Sequence, residues 1–223
     1  MGRHITVTTY GLTETSALGT HNNAENYLKK PASVGGPMPP LVEARIVDPS
    51  GQDLPTGTQG EICLKSASNF RCYWKNEEAT TRAMLEGGWF RTGDMGYMDE
   101  DSDVFITDRI KEIVIRGGEN ISSREVEFAI YEHPEVIEAA VFGIPDPALG
   151  EKLVAMVGTK PDYHLTEEDL RKFLSSRLAG FKIPEEIRIQ TDPLPRLGSG
   201  KLSKLQLKQT YQERLKRAEV IAP

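Results

Sequence analysis

Cysteine is scarce in these 223 residues: Cys63 and Cys72 are the only two, neither lies in a Cys-x-x-Cys pair, and the four histidines are scattered. That pattern excludes a disulfide framework and argues against a zinc site of Cys/His spacing. It is expected of a reducing, cytoplasmic setting in which both cysteines are buried structural residues. Positive charge is in deficit, with 27 Lys and Arg against 33 Asp and Glu and a net charge of -6. A mildly acidic surface has no electrostatic footprint for a nucleic acid backbone, so no nucleic acid partner is expected. The basic run from Lys201 to Arg217 has helical spacing and reads as a solvated helix face. No stretch reaches the roughly 18 apolar residues of a transmembrane segment. The start, Met1-Gly2-Arg3-His4, lacks the apolar region of a signal peptide. Internal repeats and low-complexity tracts are also missing.

What is present is ordinary globular material, 38% hydrophobic and 27% charged, enough for one or two domains. The first half reads as short strands broken by turns. Val42 to Asp48 alternates as a strand, Asp48-Pro49-Ser50-Gly51 supplies a turn, and Gly60 to Leu64 is the return strand. Glu77 to Leu85 is a short helix. Tyr97-Met98 and Val104 to Thr107 flank the acidic turn Asp99 to Asp103 as a second hairpin. Such spacing predicts a small antiparallel sheet or barrel.

The second half changes character. Glu112 to Ile115 is a strand, Ser122 to Glu125 fits a capping box, and Val126, Ala129, Ile130 and His133 follow helical spacing. Val136 to Phe142, Val154 to Val157 and Ile187 to Ile189 are strands. Thr166 is an N-cap before the helical face Leu170, Phe173, Leu174 and Leu178, and Ser203 to Arg217 is a terminal helix. The fold class is therefore α+β: a small antiparallel barrel-like part, then a compact α+β domain. The boundary falls within Asp108 to Lys111, dividing residues 1–109 from 110–223.

Four segments carry possible chemistry. Tyr10-Gly11-Leu12-Thr13-Glu14 puts an aromatic ring, a glycine, a hydroxyl and a carboxylate in one turn. Such a turn can stack on a base, approach a phosphate and hold Mg²⁺, or it is a surface turn with Glu14 solvated. In Thr92-Gly93-Asp94 the carboxylate can receive both hydroxyls of a ribose, or Asp94 is a turn residue. Arg109 either binds an anion or sugar oxygen or pairs with Asp108. Gly198-Ser199-Gly200-Lys201 suggests a phosphate loop, but that motif needs Gly where Pro195 stands and Ser or Thr where Leu202 stands. Lys201 is then a lysine on a flexible Gly/Ser loop that reaches a site from outside, or is merely exposed.

Taken together and in order, these segments resemble the adenylate-forming superfamily of acyl-CoA synthetases, adenylation domains and luciferases. The family's aromatic-Gly-x-Thr-Glu motif matches Tyr10 to Glu14. Its Gly-Glu strand matches Gly60-Glu61-Ile62, and Thr-Gly-Asp matches Thr92 to Asp94. The hinge motif matches Asp108 to Lys111, followed by Gly117-Gly118-Glu119-Asn120-Ile121 and Glu125-Val126-Glu127. The terminal Pro-x-x-x-x-Gly-Lys motif matches Pro195 to Lys201. The resemblance runs over nearly the whole sequence, and the Gly-Gly-Glu-Asn-Ile stretch looks more like CoA ligases than luciferases.

The resemblance implies an ATP-dependent carboxylic acid–CoA ligase working through an acyl-adenylate, with fatty acids a common substrate class. Thr13 is implied at the ATP phosphates, Glu14 at Mg²⁺, Tyr10 against the adenine, and Asp94 on the ribose with Arg109 nearby. Lys111 is implied as the hinge, and Gly117 and Gly118 as the wall of a channel for coenzyme A. Lys201 is implied as the mobile lysine of adenylation. The family's Gly/Ser/Thr-rich phosphate loop has no counterpart here; only nine residues precede Tyr10. Ser66 and Cys72 stand where relatives usually carry Gly, which leaves the local turns open. The chain is expected to be the last section of the large domain plus the mobile C-terminal domain. It is expected to be inactive alone, with its first strand frayed or exposing a sheet edge, and to require an N-terminal half. The alternative is a non-catalytic CoA- or nucleotide-binding module, or half of a split enzyme. No carrier-protein segment and no Ser-Lys-Leu address are seen.

Overall fold

The computed structural model describes residues 7–161 and 163–221, with side chains through residue 215 in the last helix. The signal-peptide reading of Met1–His4 lies outside the described residues. The chain divides into two compact units, Met1–Lys111 and Glu112–Pro223.

In the first unit, β1 (Thr8–Tyr10), β2 (Thr20–Asn22) and β3 (Gly36–Pro37) form a three-stranded antiparallel sheet. Of the two expectations for the first strand, the sheet shows the exposed edge: Tyr10 pairs with Thr20 across the 3-10 turn Thr13–Thr15. Gly11 allows the close return: a Cβ there would meet the Ala17 carbonyl oxygen at 2.4 Å. The free side of β1 is a sheet edge among the described residues. Helix α1 (Ala24–Lys29), capped by Asn23, follows β2.

The larger sheet of this unit contains β4 (Val42–Val47), β5 (Gly60–Ser66), β6 (Met84–Leu85), β7 (Trp89–Met98) and β8 (Val104–Arg109). Its order is β4-β5-β7-β6, with β8 also on β7, and every pairing is antiparallel. Alternation along these strands directs Val42, Ile46, Ile62, Leu64 and Val104 into one core. Helix α2 (Glu77–Ala83), capped by Asn76, leads into β6. Neither Ser66 nor Cys72 takes a positive φ, so the freedom of glycine is not needed at either place. Cys63 is buried, but Cys72 is exposed, which corrects the expectation for the second cysteine. Cys72 lies on an irregular segment beyond β5, where no alternation forces it inward.

The second unit is built on β9 (Ile113–Arg116), β10 (Glu119–Ser122), β11 (Val136–Asp146), β12 (Gly150–Thr159) and β13 (Glu186–Gln190). The β11–β12 pair is a long antiparallel hairpin, β13 lies parallel to β12, and β9 joins β12 where Arg116 faces Gly150. The sheet is covered on both faces. Ala139 and Val141 of β11 pack with Val126 and Ile130 of α3 (Ser123–Tyr131) and with Leu170 and Leu174 of α4 (Glu167–Ser175). Ala140 and Phe142 instead face Leu194 and, from α5 (Lys204–Ile221), Leu207 and Tyr211. Burial on both faces explains why β11 and β12 read as near-continuous apolar runs.

Three details depart from the sequence reading. The β9–β10 hairpin turns at Gly117 and Gly118, with φ of 58° and 87°, a two-residue turn that favours glycine at both positions. The capping box is half made: Ser122 Oγ accepts the Glu125 N–H, but the Glu125 carboxylate takes Lys182 Nζ at 2.7 Å. The expected solvated face of the terminal helix is interrupted at its first residue, Lys204, which lies in a carboxylate cluster. No helix among the described residues is long and apolar enough to cross a membrane.

Candidate functional site

The first unit brings together residues distant in sequence. Strand register sets Asp94 of β7 directly opposite Arg109 of β8. Arg109 Nε lies 3.1 Å from Asp94 Oδ1, while the Tyr10 hydroxyl, 84 positions away in sequence, donates to Asp94 Oδ2 at 2.7 Å. Successive side chains of a strand point to opposite faces, so Arg109 pairs with Asp94 and not with its neighbour Asp108. Burial, and then the charge of Asp94, hold the Tyr10 hydroxyl well above its ordinary pKa. Tyr10 is therefore a permanent donor, and its ring is fixed by that bond.

Asp94 owes its aim to a bulge. Between Cys63↔Arg91 and Glu61↔Met95, β7 carries extra residues against β5, and Gly93 takes a φ of 74° inside it. Bulges of this kind redirect side chains next to functional sites. Glu61 holds the bulge: its Oε1 accepts the Gly93 N–H at 3.0 Å and its Oε2 accepts from Arg91 at 2.9 Å. Thr92 Oγ1 donates to the Ile62 carbonyl and accepts the Asp94 N–H. Glu61 is thus a supporting residue whose function spacing alone did not reveal; the signal was a carboxylate just before the apolar run Ile62-Cys63-Leu64. Glu61→Gln keeps the shape but loses the charge toward Arg91, and is expected to lower the stability of this unit by about 1.5 kcal/mol, read as a shift of the urea midpoint in tryptophan emission.

Thr13 and Glu14 lie on the 3-10 turn after β1, with Thr13 exposed and Glu14 half-buried. The Tyr73 hydroxyl donates to Glu14 Oε1 at 2.9 Å; burial and then Glu14 push the Tyr73 pKa up. Glu14 opens onto a cleft of about 910 Å³ lined also by Tyr73, Trp74, Thr92, Gly93 and Lys111. Among the described residues no group of three or more His, Cys, Asp or Glu is placed to hold a metal. A single carboxylate at a cleft fits Mg²⁺, which is commonly held by one or two carboxylates with phosphates and water completing its shell.

The second unit holds Gly117, Gly118 and Lys201. Gly118 has open space around the position of a Cβ, so the turn itself requires glycine there. Lys201 is exposed, and its Gly/Ser loop is closed as a hydrogen-bonded hairpin. The Leu197 N–H donates to the Lys201 carbonyl, Gly200 N–H to Leu197, and Ser203 N–H to Pro195, each at 2.8 Å. Arg196 pairs with Leu202 as an isolated bridge.

The chain as a whole is similar to known proteins. Residues 1–74 match the family profile of AMP-binding enzymes, and residues 125–201 match the AMP-binding enzyme C-terminal domain. A 4-coumarate–CoA ligase-like protein of Oryza sativa subsp. japonica is 39% identical over 93% of this chain and 38% of its own length. ATP-bound MatB from Rhodopseudomonas palustris superposes with a TM-score of 0.84 at 36% identity, covering 93% of this chain and 41% of that one. The o-succinylbenzoate CoA synthetase of Bacillus subtilis, solved with its acyl-adenylate intermediate, gives a TM-score of 0.82 at 33% identity over 91% and 40%. The chain therefore spans about two-fifths of the length of the proteins it matches. With both profiles matched in order and the fold shared with adenylate-forming enzymes, the chain belongs to the AMP-binding enzyme family.

Proposed function

We propose that these residues serve an ATP-dependent carboxylic acid–CoA ligase that works through an acyl-adenylate. The observation that carries this reading is the convergence of Tyr10 and Arg109 on the Asp94 carboxylate, held by a bulge that Glu61 stabilises. Asp94 keeps lone pairs beyond those used by Tyr10 and Arg109, and these would accept the two ribose hydroxyls. The Tyr10 ring, anchored through its hydroxyl, would lie against the adenine. Thr13 would donate to phosphate oxygens, and Glu14 would hold Mg²⁺, which when bound offsets phosphate charge.

Carboxylate attack on the α-phosphorus brings two anions together, and the Lys201 ammonium would stabilise the charge that develops on the oxygens. Lys111 would act as the hinge just before a separate unit, so that Lys201 is delivered for adenylation and withdrawn for thioester formation. Gly117 and Gly118 would then face the pantetheine arm of coenzyme A, where the lack of side chains lets backbone approach a ligand. The names of the relatives, two of them CoA ligases or synthetases, support coenzyme A as the acceptor. No Gly/Ser/Thr-rich phosphate loop occurs in the 223 residues. The 223-residue chain by itself is therefore expected to support no ATP–pyrophosphate exchange with fatty, aromatic or dicarboxylic acids. The same residues joined to the phosphate-loop region of a CoA ligase relative are expected to support it, and a silent but folded chimera would refute the reading.

A further inference from the structure

The Lys201 hairpin is tied to the buried sheet through a pair of residues outside the motif's Gly and Lys. Glu138 of β11 is 8% exposed. Its Oε2 accepts the Leu194 N–H at 2.8 Å, and its Oε1 is bound by Arg196. The other nitrogen of the same guanidinium, Arg196 Nη1, donates to the Gly200 carbonyl at 2.7 Å. One planar group therefore joins a buried strand to the residue immediately before Lys201, a fork that Arg supplies and Lys does not.

The sheet is shaped to hold Glu138 there. A register shift follows Val136, and Glu138 faces Gly158 of β12. A Cβ on Gly158 would lie 3.1 Å from the Glu138 Cβ, so the missing side chain leaves room for the carboxylate. Burial pushes the Glu138 carboxyl up, but the Leu194 N–H and then Arg196 outweigh it and leave the pKa lowered. An ionised carboxylate is kept under the hairpin at neutral pH.

We infer that Glu138 and Arg196 are positioning residues for Lys201: they fix the backbone of the hairpin so that the ammonium is presented from one place. The assignment of a purpose to that placement rests on the functional reading above; the clamp itself does not.

The test uses the complete 223-residue chain, without nucleotide or acid, and follows amide hydrogen exchange by NMR. The Leu197 amide reports the bond to the Lys201 carbonyl, and the Val157 amide in the core reports general stability. Arg196→Ala is expected to speed exchange at Leu197 about tenfold, the effect of losing one charge-assisted hydrogen bond. Exchange at Val157 stays unchanged, and the cross-strand nuclear Overhauser effect between positions 196 and 202 disappears. Arg196→Lys restores the ion pair with Glu138 but not the fork, and is expected to recover only part of the protection. Glu138→Gln is expected to match Arg196→Ala at Leu197. Should that variant fail to fold, Arg196→Ala decides alone, since Arg196 is half exposed. Unchanged Leu197 exchange in Arg196→Ala, or equal loss at Leu197 and Val157, overturns the inference. Failure of the functional reading shows elsewhere, as adenylation that is indifferent to Lys201, and leaves these exchange rates where they are.

Discussion

Lys201→Ala, in residues 1–223 joined to the phosphate-loop region of a CoA ligase relative, is expected to slow acyl-adenylate formation by about 10²- to 10³-fold. Thioester formation from a supplied acyl-adenylate is expected to change by less than about threefold. The asymmetry follows from charge. Adenylation builds negative charge where a carboxylate meets a triphosphate, and a fixed ammonium is worth most in such a water-poor site. Thioester formation starts from a mixed anhydride already made, with pyrophosphate gone. Lys201 is exposed, so its truncation costs the fold little, and a loss of rate is not a loss of protein. Lys201→Arg keeps the charge but replaces a compact ammonium with a wider planar group, and is expected to restore only a fraction. Pyrophosphate exchange measures the first half-reaction and thiol consumption the second. Equal losses in both would reassign Lys201 to general binding, and no loss in either would remove it from the mechanism.

Much of this arrangement was legible in the sequence because it is carried by local signals. Alternation predicted β4, hairpin spacing predicted β5 and β8, the Ser122 and Thr166 caps predicted two helix starts, and Asp48-Pro49-Ser50-Gly51 marked a turn. What escaped was set by partners far away. That Arg109 faces Asp94 depends on the register of β7 against β8, which is shifted by an irregularity at Met95–Gly96 and has no local signature. That Tyr10 reaches the same carboxylate depends on a separate sheet. The Glu61 carboxylate was visible as part of a motif, but its role depends on a bulge opposite it. The Lys201 segment looked mobile because Gly and Ser favour mobility in isolation. Its order comes from Glu138, 58 positions from Arg196. Family resemblance supplied names for these residues; the geometry supplied reasons for their neighbours.

Lys204→Met is expected to lower the stability of the second unit by about 3 kcal/mol, the lower end of the range for stranding a buried charge by removing its partner. Lys204 is the first residue of α5, yet its Nζ lies 2.5 Å from Glu112 and 2.8 Å from Glu127, and 3.2 Å from Ser123 Oγ. Burial opposes the charged form of Lys204, but Glu127 and Glu112 outweigh it and raise its pKa. One ammonium thus ties the start of α5 to α3 and to the residue just before β9. Removing it leaves two carboxylates facing one another without a counter-charge, one of them also bound to the Val141 N–H. The side chain of Lys204 is 22% exposed, so water relieves part of the cost and the upper end of the range is not expected. Both tryptophans, Trp74 and Trp89, lie in the first unit. Urea unfolding is therefore followed through NMR signals of Ile130 and Val157. The triple variant Lys204→Met, Glu112→Gln and Glu127→Gln isolates the contribution of the stranded carboxylates. If stranded charge dominates, the triple variant is more stable than Lys204→Met alone by about 1–2 kcal/mol, because no uncompensated carboxylate remains. If the triple variant is no better than the single one, stranded charge is not the source of the loss, because Met keeps most of the lysine's aliphatic stem and only the ammonium's own bonds are gone.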